Sequence, residues 1–123
     1  MPMMQFSVAP WRILDKTHFN AVLKAVTLRD CFKERILILA REAAKTGEPI
    51  VSAMEYVFTH KGYSKISEQF MLGDEILVAP YMKAGNGTRV VVLPKGKWKA
   101  DTGKIYRGNK KITVQVPLDR LPY

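Results

Sequence analysis

Residues 69–80, QFMLGDEILVAP, mark the point where the pattern of the chain changes from helix to strand. The apolar residues 70–72 precede Gly73 and Asp74, a pair typical of turns because glycine tolerates positive φ and aspartate bonds its own backbone. The apolar run 76–79 then indicates a strand covered on both faces. Pro80 ends this run because proline cannot donate to a sheet ladder. The stretch predicts an apolar step, a tight turn and a buried strand.

Upstream of this stretch, residues 15–46 carry a helical pattern. Asp15 or Thr17 can cap its start, since a side-chain oxygen there accepts a hydrogen bond from a free backbone N–H. The apolar stripe changes phase near residues 27–30, so one helix and two helices meeting at a bend both fit the pattern. Residues 36–39 are apolar all round, which is typical of a helix that is buried on more than one side.

The rest of the chain is predicted to be mainly β. Gly47 is a helix stop, Pro49 forbids continuation, and residues 49–58 favour a strand through their β-branched and aromatic side chains. Further strand candidates flank turn signals: residues 88–93, residues 98–100 and 104–107 around Asp101-Thr102-Gly103, and residues 111–117. Strands this short predict an antiparallel sheet or small sandwich. The expected fold class is therefore α+β, with an N-terminal helical segment followed by this β part.

The composition limits the partners that the chain can be expected to bind. Its 123 residues suffice for one domain with a single core. No apolar run approaches the roughly 18 residues of a membrane span, so no membrane partner is expected. The net charge of +9 suits nucleic acid, but the basic residues are scattered and aromatic residues do not interleave with them. Lys95, Lys97 and Lys99 alternate as on one solvated strand face, so no nucleic-acid partner is expected.

Single reactive residues carry no recognisable site. Cys31 lies in the helical pattern and is interpreted as a small buried hydrophobe; one cysteine permits no disulfide within the chain and leaves the compartment open. Glu55 is expected on a solvated strand face, and His60 in a polar loop. Residues 85–87, Gly-Asn-Gly, are no phosphate loop, because no helix with Lys-Ser or Lys-Thr follows them. We expect no metal and no cofactor.

Several short motifs, spread over essentially the whole chain, carry a family resemblance. They are Ala9-Pro10-Trp11-Arg12; Leu28-Arg29; Ala40-Arg41-Glu42-Ala43 leading to Thr46-Gly47-Glu48-Pro49; Gln69-Phe70-Met71-Leu72-Gly73-Asp74 with Leu77-Val78-Ala79-Pro80; Leu93-Pro94-Lys95-Gly96 with Trp98; Thr102-Gly103; and Val116-Pro117-Leu118-Asp119. In order and spacing they resemble the C-terminal stretch of glycoside hydrolase family 31. This family comprises the retaining α-glycosidases, including α-glucosidases and α-xylosidases.

The resemblance implies two parts. Residues 1–58 resemble the last part of a (β/α)8 catalytic barrel, and residues 59–123 the β-sandwich that follows the barrel. The family's two catalytic aspartates lie on earlier barrel strands, the nucleophile in a tryptophan–x–aspartate type motif that does not occur here. None of the aspartates present has that context: Asp15, Asp30, Asp74, Asp101 and Asp119. We therefore expect no catalytic residue in this chain and no activity of the chain alone.

Trp11 and Arg12 are the candidates for lining a sugar pocket, because aromatic faces stack on sugar rings and guanidinium groups donate to hydroxyls. The alternative is Trp11 as a core residue and Arg12 as a structural ion pair. Family members often carry an arginine where this chain has Ser52 and Ala53, and His18 falls too far along to supply the family's sugar-lining histidine. These departures weaken the expectation that this segment contacts substrate.

Two functions follow as expectations. The first is the C-terminal portion of an α-glycosidase, whose parent hydrolyses α-linked sugars; the apolar residues 1–14 predict that further chain normally precedes them. The second is a stand-alone carbohydrate-binding or assembly module, with Trp98 and Tyr106 as an exposed platform, although family resemblance favours burial of Trp98. Half a barrel cannot cover the apolar sides of residues 28–43, which predicts a homo-oligomer through the helical segment.

Overall fold

The chain folds into two compact units. The structure is a computed structural model and describes residues 7–83, 87–120 and 122–123. The helical unit contains the described residues up to Ile50 together with Leu118–Arg120. The β unit contains the described residues of Val51–Pro117 together with residues 122–123. Helices thus precede antiparallel strands, which confirms the α+β class.

The helical unit is built from three helices. They are α1 (Pro10–Ile13), α2 (Lys16–Cys31) and α3 (Lys33–Thr46). Asp15 caps α2, because its Oδ1 accepts a hydrogen bond of 2.9 Å from the backbone N–H of His18. Phe32 separates α2 from α3, so the phase change of the apolar stripe reflects two helices rather than one. The helix stop at Gly47 is confirmed, since its φ of 78° lies in the left-handed region that glycine tolerates.

Few side chains of the helical unit are buried. Helix α2 buries none, and α3 buries Leu39. Residues 36–39 are apolar on all sides of the helix, but Leu37 and Ile38 are exposed. The helix is therefore not buried on all of these sides. The interpretation of Cys31 as a buried hydrophobe is wrong: it is exposed at the last residue of α2, where the chain turns into α3.

The β unit begins with a strand and a short helix. Strand β1 (Val51–Ala53) is followed at once by α4 (Met54–Val57), so the prediction of one strand over residues 49–58 is wrong. The reason is the spacing of the residues that reach the core. Met54 is fully buried, and Val57 and Phe58, three and four residues later, pack against the same cluster, which only a helix allows.

The remaining strands form three small antiparallel sheets. They are β2 (Phe70–Leu72), β3 (Ile76–Val78), β4 (Gly87–Leu93), β5 (Lys97–Lys99), β6 (Ile105–Arg107) and β7 (Lys110–Val116). Strand β2 lies between β1 and β3, with Gly73 at a φ of 64° in the turn that was predicted after Leu72. Strand β4 pairs with β7, and β5 pairs with β6 in the predicted hairpin.

The principal hydrophobic cluster belongs to the β unit. Its buried members are Met54, Met71, Leu77, Ala79, Val91 and Leu93. Half-buried aromatic residues close its rim, among them Trp98 and Tyr106 of the hairpin. Within the described ranges, no helix combines the length and the hydropathy needed to cross a bilayer.

Candidate functional site

The two residues expected to line a sugar pocket are neighbours on α1. Trp11 exposes 72% of its surface, and Arg12 is exposed as well. Because successive residues of an α-helix point about 100° apart, the two side chains leave the helix in different directions. The exposure of Trp11 shows that this residue is not part of a core. Arg12 forms no ion pair with any residue of the described ranges, so the structural alternatives for both residues find no support.

The carboxylates at the ends of the helical unit are engaged in structural contacts. The backbone N–H of His18 hydrogen-bonds Asp15 and lowers the pKa of that carboxyl group, with help from the His18 ring at 2.7 Å. The hydrogen bond from the Lys24 ammonium lowers the pKa of Asp119 in the same way. A glycosidase general acid needs a raised pKa so that it holds a proton at neutral pH. Neither carboxyl group fits that role.

Glu55 organises a loop instead of facing solvent from a strand. Its Oε1 accepts a hydrogen bond of 2.8 Å from the backbone N–H of His60, and its Oε2 accepts one of 2.8 Å from Tyr63. The same loop holds His60 at a φ of 60°, an uncommon value for a residue other than glycine. Sequence reasoning missed this role because it placed Glu55 in a strand, where its side chain could not reach back to these amides.

Gln69 is a second polar residue whose role the sequence did not reveal. Only 3% of its surface is exposed. Its side-chain Nε2 donates to the carbonyl of Val92 at 2.8 Å, and its Oε1 accepts from the N–H of Val92 at 3.0 Å. The Nε2 also lies 2.7 Å from the sulfur of Met54. The amide is thus satisfied inside the core and serves the fold rather than a ligand.

The two aromatic residues of the hairpin do not form an open sugar platform. Trp98 and Tyr106 are direct partners across β5 and β6, and both are half-buried against the core. The indole Nε1 of Trp98 donates a hydrogen bond of 2.8 Å to the carbonyl of Pro94, which fixes the ring. Trp98 is therefore only partly buried, rather than fully buried as the family resemblance suggested.

No metal-binding group of side chains is assembled by the part of the chain that the structure describes. Histidine, cysteine and carboxylate side chains nowhere come together there in a group of three that could hold a metal ion. The candidate site is therefore limited to the exposed pair Trp11 and Arg12 on α1.

Comparison with known proteins gives this pattern a family context. A family model described as "Glycosyl hydrolase family 31 C-terminal domain" matches residues 47–123. The myogenesis-regulating glycosidase of Mus musculus is 33% identical over an alignment of 124 positions, which covers 97% of this chain and 17% of that protein. The α-glucosidase of Saccharolobus solfataricus is 33% identical over 101 residues, covering 79% of this chain and 14% of that protein.

Comparison with solved structures also finds enzymes of glycoside hydrolase family 31. A family 31 α-xylosidase from a soil metagenome, complexed with xylose, superposes with a TM-score of 0.86 at 26% identity over 98% of this chain and 18% of its own. The family 31 dextranase of Flavobacterium johnsoniae, complexed with glucose, superposes with a TM-score of 0.85 at 34% identity over 94% of this chain and 14% of its own. The chain thus spans less than a fifth of the length of each relative named here. Because the family model matches more than half of its residues, this chain belongs to glycoside hydrolase family 31.

Proposed function

We propose that this chain is the C-terminal portion of a retaining α-glycosidase that hydrolyses α-linked glucosides or xylosides in carbohydrate metabolism. The observation that carries the proposal is the match of residues 47–123 to the C-terminal domain of family 31. The names of the relatives support the substrate class, since they include an α-glucosidase and an α-xylosidase. The chain's share of the relatives' length fits a part of such an enzyme rather than the whole.

The chain alone has no turnover in this proposal. Retaining hydrolysis requires a carboxylate nucleophile and a carboxylic acid about 5 Å apart on either side of the scissile bond. The carboxylates of Asp15, Asp119 and Glu55 are committed to a helix cap, an ion pair and two loop amides. In this proposal the catalytic aspartates belong to a barrel segment of the parent enzyme, as the family resemblance implies, and this chain contributes scaffold.

Within the parent enzyme, residues 1–58 complete the barrel and residues 59–123 form the β-sandwich that follows it in the chain. The exposed ring of Trp11 supports a place at the sugar pocket, where Arg12 donates to hydroxyl groups. Trp11 then acts by stacking on a sugar ring, and neither residue takes part in bond cleavage.

One observation favours the second candidate, an assembly module that forms a homo-oligomer through the helical unit. Its helices leave Leu23, Leu37 and Ile38 exposed, and apolar surface of this kind drives association. Sedimentation at micromolar concentration tests it: a dimer or larger species supports assembly, and a clean monomer excludes it. Replacing Leu37 and Ile38 by lysine should then dissociate the oligomer, whereas the exposed pair Lys33 and Lys45, changed to glutamine, should leave it intact.

The first experiment for the main proposal is to sequence the DNA upstream of Met1. A reading frame that continues into barrel strands with the family's nucleophile motif supports it, and a promoter and ribosome site directly before Met1 overturns it. An assay of this chain with aryl α-glucosides and aryl α-xylosides tests the absence of turnover. Hydrolysis that an aspartate substitution in this chain abolishes would show that the chemistry lies here.

A further inference from the structure

A hairpin and the start of the next strand concentrate the positive charge of the β unit. We call residues 95–111 the basic hairpin, since they comprise β5, β6, the two flanking turns and the first residues of β7. Its basic residues are Lys95, Lys97, Lys99, Lys104, Arg107, Lys110 and Lys111, and all seven are exposed. Asp101 is the only acidic residue in this part of the sequence. The excess positive charge is therefore local and faces solvent.

Within residues 7–83, 87–120 and 122–123, the charge on the basic hairpin is not neutralised by ion pairs. Lys97 and Arg107 are direct partners across β5 and β6, an arrangement in which like charges repel and destabilise the pairing. Among the residues that the structure describes, no carboxylate forms an ion pair with any of the seven basic side chains. An anion placed along this face would relieve that repulsion, which a neutral ligand would not do.

The two faces of the hairpin differ in chemistry. Alternation along the strands puts Lys97, Lys99 and Arg107 on the exposed face and Trp98 and Tyr106 on the face that packs against the core. The exposed face thus offers cations without an aromatic surface. Single-stranded nucleic acid and neutral sugars both depend on stacking against aromatic rings, so this face suits neither of them.

Two further ammonium groups of the basic hairpin lie close to the ring of Tyr106. The Nζ of Lys104 lies 5.2 Å from the centroid of the Tyr106 ring, and the Nζ of Lys110 lies 6.0 Å from it. At these distances the ring quadrupole attracts each cation. Tyr106 therefore holds two lysines near its own ring, Lys104 from the hairpin and Lys110 from β7.

We propose that the basic hairpin binds an acidic polysaccharide, a sugar chain that carries carboxylate or sulfate groups at intervals. The proposal rests on the proposed function, because a parent enzyme that processes carbohydrates favours a glycan over another polyanion as the ligand of this face. Six of the seven basic residues are lysines. Lysine is a flexible point charge, which suits a repeating anion, whereas a single carboxylate or phosphate is better matched by the fork of arginine.

The test is titration calorimetry of the whole chain with heparin, a carboxylated and sulfated polysaccharide, and with uncharged dextran. The variant K97Q/K99Q/R107Q removes three charges from the hairpin face. The control K33Q/R41Q/K45Q removes three exposed charges from α3, so the net charge changes equally. We expect the hairpin variant to bind heparin on the order of tenfold more weakly, and the control to bind like the unmodified chain. Added salt should weaken the interaction, because these charges are exposed.

Equal losses in the two variants would overturn the proposal, since they would show an effect of net charge alone. Tighter binding of duplex DNA or of phosphatidylserine vesicles than of heparin, at equal anion concentration, would also overturn it and assign the face to another partner. Far-UV circular dichroism and thermal unfolding of both variants verify that each remains folded. The upstream DNA sequence and the hydrolysis assay do not depend on heparin, so failure here and failure of the proposed function are distinguishable.

Discussion

The side chain of Gln69 takes the place of a neighbouring strand for the backbone of Val92. Its amide oxygen and nitrogen bind the N–H and the carbonyl of Val92, at 3.0 Å and 2.8 Å. Because Gln69 precedes β2 and Val92 lies in β4, one side chain links two sheets of the β unit. The side-chain amide of Gln69 is buried. Its loss would leave the N–H and the carbonyl of Val92 without these partners.

Substitution of Gln69 by leucine should destabilise the protein. The N–H and the carbonyl of Val92 would lose their partners in a part-buried environment, at a cost of about 1–3 kcal/mol in the free energy of unfolding. Urea unfolding measures the difference. Thr113→Leu, at an exposed position of β7, is the control and should stay within about 0.5 kcal/mol of the unmodified chain. Equal losses at both positions would refute a special role of Gln69.

Substitution of Gln69 by glutamate should make stability depend on pH. A carboxylate can accept from the N–H of Val92 but cannot donate to its carbonyl, so the buried site favours the protonated form and raises the pKa of the new carboxyl group. A group with a raised pKa in the folded state stabilises below its unfolded pKa and loses this contribution as pH rises. The variant should therefore lie closest to the unmodified chain in acid, and a constant difference across pH would contradict this mechanism.

Gly108 should tolerate no larger side chain. A Cβ built on it would lie 1.8 Å from the carbonyl oxygen of Pro94, which is fully buried. We expect Gly108→Ala to cost about 3 kcal/mol, because backbone must move to accommodate it. Gly62→Ala is the comparison: its φ of 82° is strained for alanine, but no atom lies within 4 Å. That change should cost only about 1 kcal/mol, and thermal unfolding should rank the two variants in this order.

The cap of α2 should respond to acid. The pKa of Asp15 is lowered in the folded state, so its stabilising effect is present above the unfolded pKa and is lost as pH falls through the lower folded value. Asp15→Asn keeps a capping acceptor without the charge. The helical circular dichroism of the two proteins should therefore differ at about pH 7 and converge at about pH 2. Convergence at neutral pH would show that the charge contributes nothing.

Removal of the Glu55 carboxylate should loosen one loop while the sheets stay intact. Glu55→Ala leaves the amides of His60 and Tyr63 without their acceptors, each hydrogen bond contributing roughly 1 kcal/mol. Hydrogen exchange of these two amides should accelerate, whereas the amide of Met71 in β2 should exchange as before. Uniform acceleration of all amides would indicate global destabilisation instead.

Local sequence patterns predicted the fold correctly where the structure of a segment depends mainly on residues within that segment. The cap at Asp15, the stop at Gly47 and the hairpin over residues 97–107 follow from side chains within a few residues of each other. Prediction failed over residues 54–57, where β-branched and aromatic content favoured a strand. There, contacts of Met54 and Phe58 with distant core residues outweighed local propensity.

The roles of individual side chains were harder to predict from the sequence than the fold. Gln69 lies 23 residues from Val92 in sequence, so no local pattern could reveal their hydrogen bonds. Trp11 was predicted from the family resemblance, and whether its exposed ring meets a sugar stays a prediction. The alternating lysines of the basic hairpin were visible in the sequence, but the absence of ion pairs to them among the described residues depends on the positions of carboxylates elsewhere in the fold.

Lys24 of α2 pairs with Asp119, which lies 95 residues later in the chain. During biosynthesis the helices leave the ribosome long before this acid has been made. At about 5–20 residues per second, the wait is on the order of 10 s. During this time the helical unit lacks its last segment, Leu118–Arg120. The ion pair between Lys24 and Asp119 can therefore form only after nearly the whole chain has been synthesised.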